Sequence, residues 1–390
     1  MIRRLHVKNF RSLRDVTLEP GLLNVFVGPN SSGKSNYIDS LKFLTDLAKF
    51  GLSHAFSERG GFTEVFWKGT STPDIISFDA SFDVLVESSP KPLRFDYVLE
   101  VLGSRTGLLT VKRELLHTES EKGPVNLIDI TSGHGEIRHL DGTKASDPPE
   151  NPSVSMLEFN LPKWAGSQFK QYLACWHFYK LVPALMKQLK ALKNTPTLTE
   201  TGDNLIEYLT TLKTSYSDTF KRIERVVQDT FPDVQELNPQ MTQYGQVFLT
   251  TKEKFLHGLI TVWNMADGEL AFIALLARIF SPPEFGSPVI CVEEPENHLH
   301  PRLLETLVEV LKQNQNVLQE RGIPLSQIFA TTHSPHLVDR LNLEELIVFE
   351  KQEGETRLLR PTDKAHLKDL LSREEMGLGE LWYSGALGGV

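Results

Sequence analysis

The sequence predicts an α/β protein: a mostly parallel sheet, an antiparallel β subdomain and an inserted helical subdomain. Three observations predict it. In the last third, short apolar runs (Val289 to Val292, Ile328 to Thr332, Leu346 to Phe349) are separated by a helical period over Arg302 to Leu318, as in strands joined by crossover helices. Earlier, Ile76, Phe78, Ala80, Phe82 and Val84 alternate with Ser77, Asp79, Ser81 and Asp83, which reads as an antiparallel strand with one wet face. Between these regions, from about Phe169 to Val234, the chain reads as mainly helical, with Tyr216, Phe220, Ile223 and Val227 on one face. The expected division is an N-terminal lobe over 1–150, a helical insert or lid over 151–240 and a C-terminal lobe over 241–390.

Taken in order, Arg4 to Val7 is a short strand, followed by Asn9-Phe10-Arg11-Ser12 and by the apolar strand Leu22 to Val27. That strand enters Gly28-Pro29-Asn30-Ser31-Ser32-Gly33-Lys34-Ser35, which matches the phosphate-cradling pattern G-x-x-x-x-G-K-[ST]. Behind it, past Asn36, residues Ile38, Leu41, Leu44, Leu47 and Ala48 recur at helical spacing. The pattern answers a charge problem. Glycines 28 and 33 let the backbone approach an anion closely, and the helix start adds roughly half a positive charge. Lys34 contributes a full one near the β/γ-phosphates, and the Ser35 hydroxyl is the expected Mg²⁺ ligand.

Gly51 to Thr72 is Gly-rich and reads as irregular. Leu93 to Val101 and Leu109 to Leu115 continue the antiparallel pattern, and Asp147 to Pro152 forms a loop at a lobe boundary. Val247 to Thr250 and Leu259 to Val262 are strands leading into Ala266-Asp267-Gly268-Glu269, and Glu269 to Phe280 is an apolar helix. The free N–H groups at its start offer a second anion site; Asp267 alternatively only caps the helix.

Two further stretches carry chemistry. Val289-Ile290-Cys291-Val292-Glu293-Glu294-Pro295-Glu296 ends an apolar strand in paired carboxylates, at the sheet edge where open α/β sheets bind ligands. Glu293 is expected to hold Mg²⁺, and Glu294 to orient and deprotonate an attacking water. Ala330-Thr331-Thr332-His333-Ser334-Pro335 ends a strand at the same edge, which lets His333 donate to a γ-phosphate. Asn297-His298-Leu299-His300-Pro301 lacks further ligands at zinc spacing and reads as a polar turn capping a helix.

Composition narrows the function classes. A net charge of −9 argues against a global grip on nucleic acid. Between Phe159 and Thr199, however, there is no acidic residue, while lysines and aromatic residues are interleaved. That is what single-strand binding would use, or a core strand at 176–179 followed by a helix with a solvated lysine face. Cys175 and Cys291 form no C-x-x-C pattern, and no signal peptide or membrane span is expected, which suits the cytoplasm.

Together these pieces resemble the ATP-binding-cassette (ABC) type ATPases of the RecF, SMC and overcoming-lysogenization-defect (OLD) families. The likeness rests on Asn-Phe-Arg-Ser at 9–12, G-P-N-S-S-G-K-S, A-D-G-E at 266–269, E-E-P-E-N-H-L-H-P, T-T-H-S-P and Gly377 to Tyr383. It implies a P-loop ABC-ATPase-like head that binds ATP and Mg²⁺. The nucleotide contacts would come from Gly28 to Asn36, with Arg11, and from Asp267, Gly268 and Glu269 of a second copy in an ATP-sandwiched homodimer. It also implies Ser35 and Glu293 on the metal, Glu294 on the water and His333 as a switch. Partners would be DNA or a separately encoded nuclease or effector, in RecF-like repair or antiviral defence. Three departures point to slow hydrolysis or an ATP-gated clamp: Ala266 where the family has serine, Glu293 where it has aspartate, and no glutamine between the phosphate loop and Gln168.

Overall fold

The computed structural model describes residues 1–70, 74–87, 89–104, 107–363 and 377–383. Strands β1 (Ile2–Phe10) and β2 (Leu13–Leu18) form a hairpin whose turn holds Arg11 at φ 53. Strand β3 (Leu23–Val27), buried throughout, leads to the phosphate loop and to helix α1 (Lys34–Phe50). The segment expected to be irregular instead contains α2 (Leu52–Ser57) and α3 (Phe62–Val65); Thr72, its last residue, lies outside the described residues. Gly51 and Gly61 supply the φ near +90° that starts each short helix, and burial of Leu52, Phe56 and Phe62 fixes them.

Strands β4 (Ile75–Val84), β5 (Leu93–Gly103), β6 (Leu109–Ser120), β7 (Gly123–Thr131), β8 (His134–Arg138) and β9 (Lys144–Ser146) complete an antiparallel sheet in the order β2-β1-β4-β5-β6-β7-β8-β9. Its last three strands carry little sequence signal: in β8 only Ile137 is buried.

The region expected to be mainly helical is mixed. It holds α4 (Ala165–Ala174), β10 (His177–Tyr179), α5 (Pro183–Met186), β11 (Lys190–Ala191), α6 (Leu205–Ser215) and α7 (Ser217–Thr230). Strand β11 joins β12 (Val234–Met241), β13 (Gln246–Glu253) and β14 (Ile260–Thr261) in a small antiparallel sheet, and the apolar sides of α6 and α7 share a core with it. The aromatic residues between 164 and 176 are core. Trp164, Phe169 and Trp176 are buried, and Phe169 packs on Phe82, Phe95 and Tyr97 of the antiparallel sheet.

The chain then runs through α8 (Asp267–Ile279), β15 (Val289–Glu293), α9 (Pro301–Glu320), β16 (Gln327–Thr331), α10 (Pro335–Val338), β17 (Leu346–Gln352), β18 (Glu355–Leu359) and α11 (Leu378–Tyr383). The second large sheet has the order β10-β15-β16-β3-β17-β18, parallel except for β18. Period-two alternation sorts its side chains. Phe26, Cys291, Phe329 and Phe349 join the core that contains α1 and the antiparallel sheet. Val25, Ile290, Ile328, Ala330 and Val348 join the one that contains α8 and α9. Strands β3, β15 and β16 are parallel neighbours, so the phosphate loop, Glu294 and His333 all leave the sheet at one edge. Among the described residues no helix is long and apolar enough to cross a membrane.

Candidate functional site

The phosphate loop is shaped by backbone that only particular residues tolerate. Gly28 has φ +142, and a Cβ there would sit 2.1 Å from the Phe349 carbonyl oxygen. Gly33 has φ +108, and a Cβ would sit 1.9 Å from Thr356 Oγ1. Ser31 adopts φ 64. Lys34 is 6% exposed and its Nζ donates to Gly28 O at 2.7 Å and Pro29 O at 3.1 Å. Burial lowers its pKa to about 8, against the opposing pull of Glu294 and Glu296.

The loop is braced from behind. Thr356 Oγ1 donates to Ser32 O at 2.9 Å and lies 2.7 Å from Ser12 Oγ. Asn36 Nδ2 donates to that same Ser12 hydroxyl at 2.7 Å. Arg11 Nε lies 2.8 Å from Asp39 Oδ2 on α1. Asn36 and Arg11, both grouped by sequence with the nucleotide contacts, therefore turn their polar ends to Ser12 and Asp39. Thr356 and Ser12 were missed as site residues, because a threonine on an edge strand so far along the chain carries no local signal.

Alternation along β15 puts Glu293 on the same face as Val289 and Cys291, the face covered by α1. Its carboxyl pKa is raised by burial first; Glu294 and Glu200 push the same way, and Lys180 and Lys42 oppose them. Lys42 follows Ser35 by seven positions, so both lie along one side of α1. Glu293 thus faces the side of the helix that begins with the Ser35 hydroxyl.

Glu294 turns the other way. Its φ of 47 breaks the strand, and its N–H donates to Thr331 O at 3.0 Å. Asn297 Nδ2 holds its Oε2 at 2.8 Å. A left-handed glutamate costs of order 1–3 kcal/mol and persists only where its neighbours enforce it. Glu296 accepts the His333 N–H at 2.5 Å, while its Oε2 is buried with no hydrogen-bond partner among the described residues. Burial first, and then Lys34, lower the His333 pKa; Glu296 and Glu294 pull it up. Lys34, Glu294, Glu296 and His333 therefore share one electrostatic neighbourhood. The role of Glu296 was missed; its place two residues after Glu294, in the same motif, is the signal that could have found it.

The Ala266–Glu269 turn starts α8 with Ala266, not Asp267, at the N-cap and no side-chain cap. Asp267 instead pairs with Lys187 at 2.7 Å. A Cβ on Gly268 would sit 2.4 Å from His298 O, so the turn lies against the loop that follows the paired carboxylates. Burial, with Glu253 nearby, raises the Glu269 pKa to about 7. His300 caps α9 by accepting the Arg302 N–H at 3.4 Å, with Pro301 in the first helical position. Three of the lysines in the basic stretch have internal partners: Lys170 on Glu158 O, Lys187 on Asp267 and Lys190 on Asp203.

These residues fit a magnesium nucleotide. The glycine cradle admits no Cβ, and Ser32 Oγ is buried with no hydrogen-bond partner among the described residues. Ser35 with Glu293 offers the sparse oxygen set that Mg²⁺ accepts when phosphates complete its shell.

Comparison with known proteins agrees on the fold. The chain is similar to "Retron Vc95 probable ATPase" of Vibrio cholerae serotype O1 biovar El Tor, 26% identical over 113 residues, 26% of this chain and 20% of that protein. It is also similar to "OLD nuclease" of Thermus scotoductus (strain ATCC 700910 / SA-01), 21% identical over 97% of this chain and 68% of that one. Among solved structures, an SMC head bound to the C-terminal winged-helix domain of ScpA matches with a TM-score of 0.55 and 14% identity, covering 92% of this chain and 97% of the other. An SMC head with an extended coiled coil bound to the C-terminal domain of ScpA, derived from Pyrococcus furiosus, gives 0.53 and 12%, covering 96% and 99%. Residues 23–339 match the family described as "AAA domain, putative AbiEii toxin, Type IV TA system". The chain belongs to that family, and its fold is SMC-head-like.

Proposed function

We propose that this chain binds Mg-ATP on Gly28 to Ser35 and hydrolyses it slowly, and that closure of two copies around the nucleotide controls DNA or a partner effector in antiviral defence or RecF-like repair. The observation that carries the reading is the convergence of Lys34, Glu294, Glu296 and His333 at one sheet edge. Bound there, magnesium would supply charge neutralisation on the phosphates. Ser35 and Glu293 would hold it. Glu294, aimed by its left-handed backbone and by Asn297, would take the proton of the attacking water. His333, kept neutral by burial and by Lys34, would donate to the terminal phosphate and register its loss. Asp267, Gly268 and Glu269 would meet the nucleotide of the second copy. The Vibrio relative is a probable ATPase of a retron and the Thermus relative a nuclease, which supports an ATPase that works alongside a nuclease. The lobes 1–150, 151–240 and 241–390 would be the units that move.

A second reading, an ATP-gated clamp with little hydrolysis, is favoured by Ala266, which leaves the start of α8 without a side-chain hydroxyl. Turnover of wild type and Glu294→Gln separates the two. The enzyme reading expects a loss on the order of 10²-fold or more; equal low rates select the clamp. Lys34→Ala should abolish ATP binding in calorimetry, and an unchanged affinity would remove both readings.

A further inference from the structure

A cavity of about 900 Å³ lies on the side of the parallel sheet opposite α1. Its walls are Leu275 of α8, Leu307 and Leu311 of α9, and Val292 and Ala330 of the sheet. These are apolar, but the lining also carries polar residues, and one of them is a buried arginine. Arg278, in the last turn of α8, is 6% exposed. Its Nη1 donates to Phe285 O at 3.2 Å, and its Nε has no hydrogen-bond partner among the described residues. It forms no ion pair among the described residues. Gln315 Nε2, on α9 and also on the cavity wall, is likewise buried without a hydrogen-bond partner among the described residues. The carboxylates on the lining are Asp83, which pairs with Arg3, and Glu87, on the segment after β4.

An unpaired guanidinium out of water is costly unless an anion meets it. Arginine presents a planar fork of donors that matches a carboxylate in two-point fashion. The amide of Gln315 adds a neutral donor on the same wall. Between α9 and the sheet, Leu307, Leu311, Val292 and Ala330 call for hydrocarbon, and the volume lies in the range of small-molecule pockets.

We propose that this cavity binds an amphiphilic carboxylate, with the head on Arg278 and Gln315 and an apolar tail of about ten carbons between α9 and the sheet. The site is separate from the phosphate loop. It touches two elements of the candidate nucleotide site: α8, which begins with Asp267 and Gly268, and Val292, one residue before Glu293. Occupancy therefore stiffens the sheet edge and α8 together. The binding claim does not depend on the ATPase reading.

Calorimetry of the purified chain with sodium decanoate and with decanol tests it. Decanoate should bind at least about tenfold more tightly than decanol, as expected of a charge-assisted hydrogen bond in a buried site. Arg278→Met should erase that preference while decanol still binds. Leu311→Trp, which fills the tail region and leaves Arg278 in place, should weaken both ligands. Circular dichroism and thermal unfolding check that each variant folds; if Arg278→Met does not, the decanoate-to-decanol ratio and Leu311→Trp decide alone. Equal affinity for the two probes, an absence of decanoate binding, or unaltered binding in Leu311→Trp would overturn the proposal. So would an unchanged decanoate preference in a folded Arg278→Met.

Discussion

The two faces of the parallel sheet are built to different standards. On the α1 face, Phe26 meets Tyr37, Phe329 and Phe349 with ring centroids 5.4, 5.9 and 4.7 Å apart, and all four residues are fully buried. On the α9 face, the same strands look into a cavity of about 900 Å³, and α9 buries only Leu304, Val308 and Asn314 along its length. The dense face stands directly behind the phosphate loop. A loop whose glycines 28 and 33 leave no room for a Cβ needs a floor that cannot shift, and interlocked aromatic rings provide it. On the hollow face α9 is held by few buried side chains, and shape changes beside it cost less.

Three measurements break or sharpen this contrast. The largest effect belongs to Phe26→Ala, which should lower unfolding free energy by about 3–5 kcal/mol in denaturant titration. A loss below about 1 kcal/mol would mean the aromatic floor is not the rigid side.

Next comes Glu269 on α8, whose folded-state pKa of about 7 stands above the ordinary value of 4.5. The folded chain therefore binds more protons than the unfolded chain between those values. Stability from this group is fully present below pH 4.5 and is lost as pH rises through about 7. Glu269→Gln should remove that slope, gaining on the order of 2 kcal/mol over wild type between acid and mildly alkaline pH. Parallel stability curves for the two proteins across that window would contradict the assigned burial.

The smallest effect is expected of Leu311→Ala. Its side chain borders the cavity, so removal should cost about 1 kcal/mol or less, against 2–5 for a fully packed leucine. A cost equal to that of Phe26→Ala would show the hollow face to be as tightly packed as the other, and the contrast would disappear.

Much of this was legible beforehand because it is local. The strand-loop-helix around Gly28 to Ser35 needs only an apolar run, two glycines and a helical period. The strand ends at Glu293 and His333 need only short apolar runs. The short helices between 52 and 65 were not legible, because Gly-rich segments signal turns and only burial of Phe56 and Phe62 selects helix. A core strand at 176–179 is one of the two sequence readings, but that it joins the parallel sheet beside β15 was not legible, since pairing partners are not encoded locally. That Asn36 meets Ser12 and Arg11 meets Asp39 was not legible, because hydrogen-bond partners are chosen across the fold.

By itself, the sequence determined that an anion-binding loop, two carboxylates and a histidine each end a strand, since those features depend on neighbours a few residues away. Only the tertiary structure decided that Glu293 faces α1 while Glu294 turns toward Lys34. It alone also decided that Thr356 backs the loop and that Arg278 lines a cavity with no ion pair among the described residues. The physical reason is that strand order and side-chain facing are settled by pairing and packing between segments hundreds of residues apart, and no local spacing encodes which of them meet.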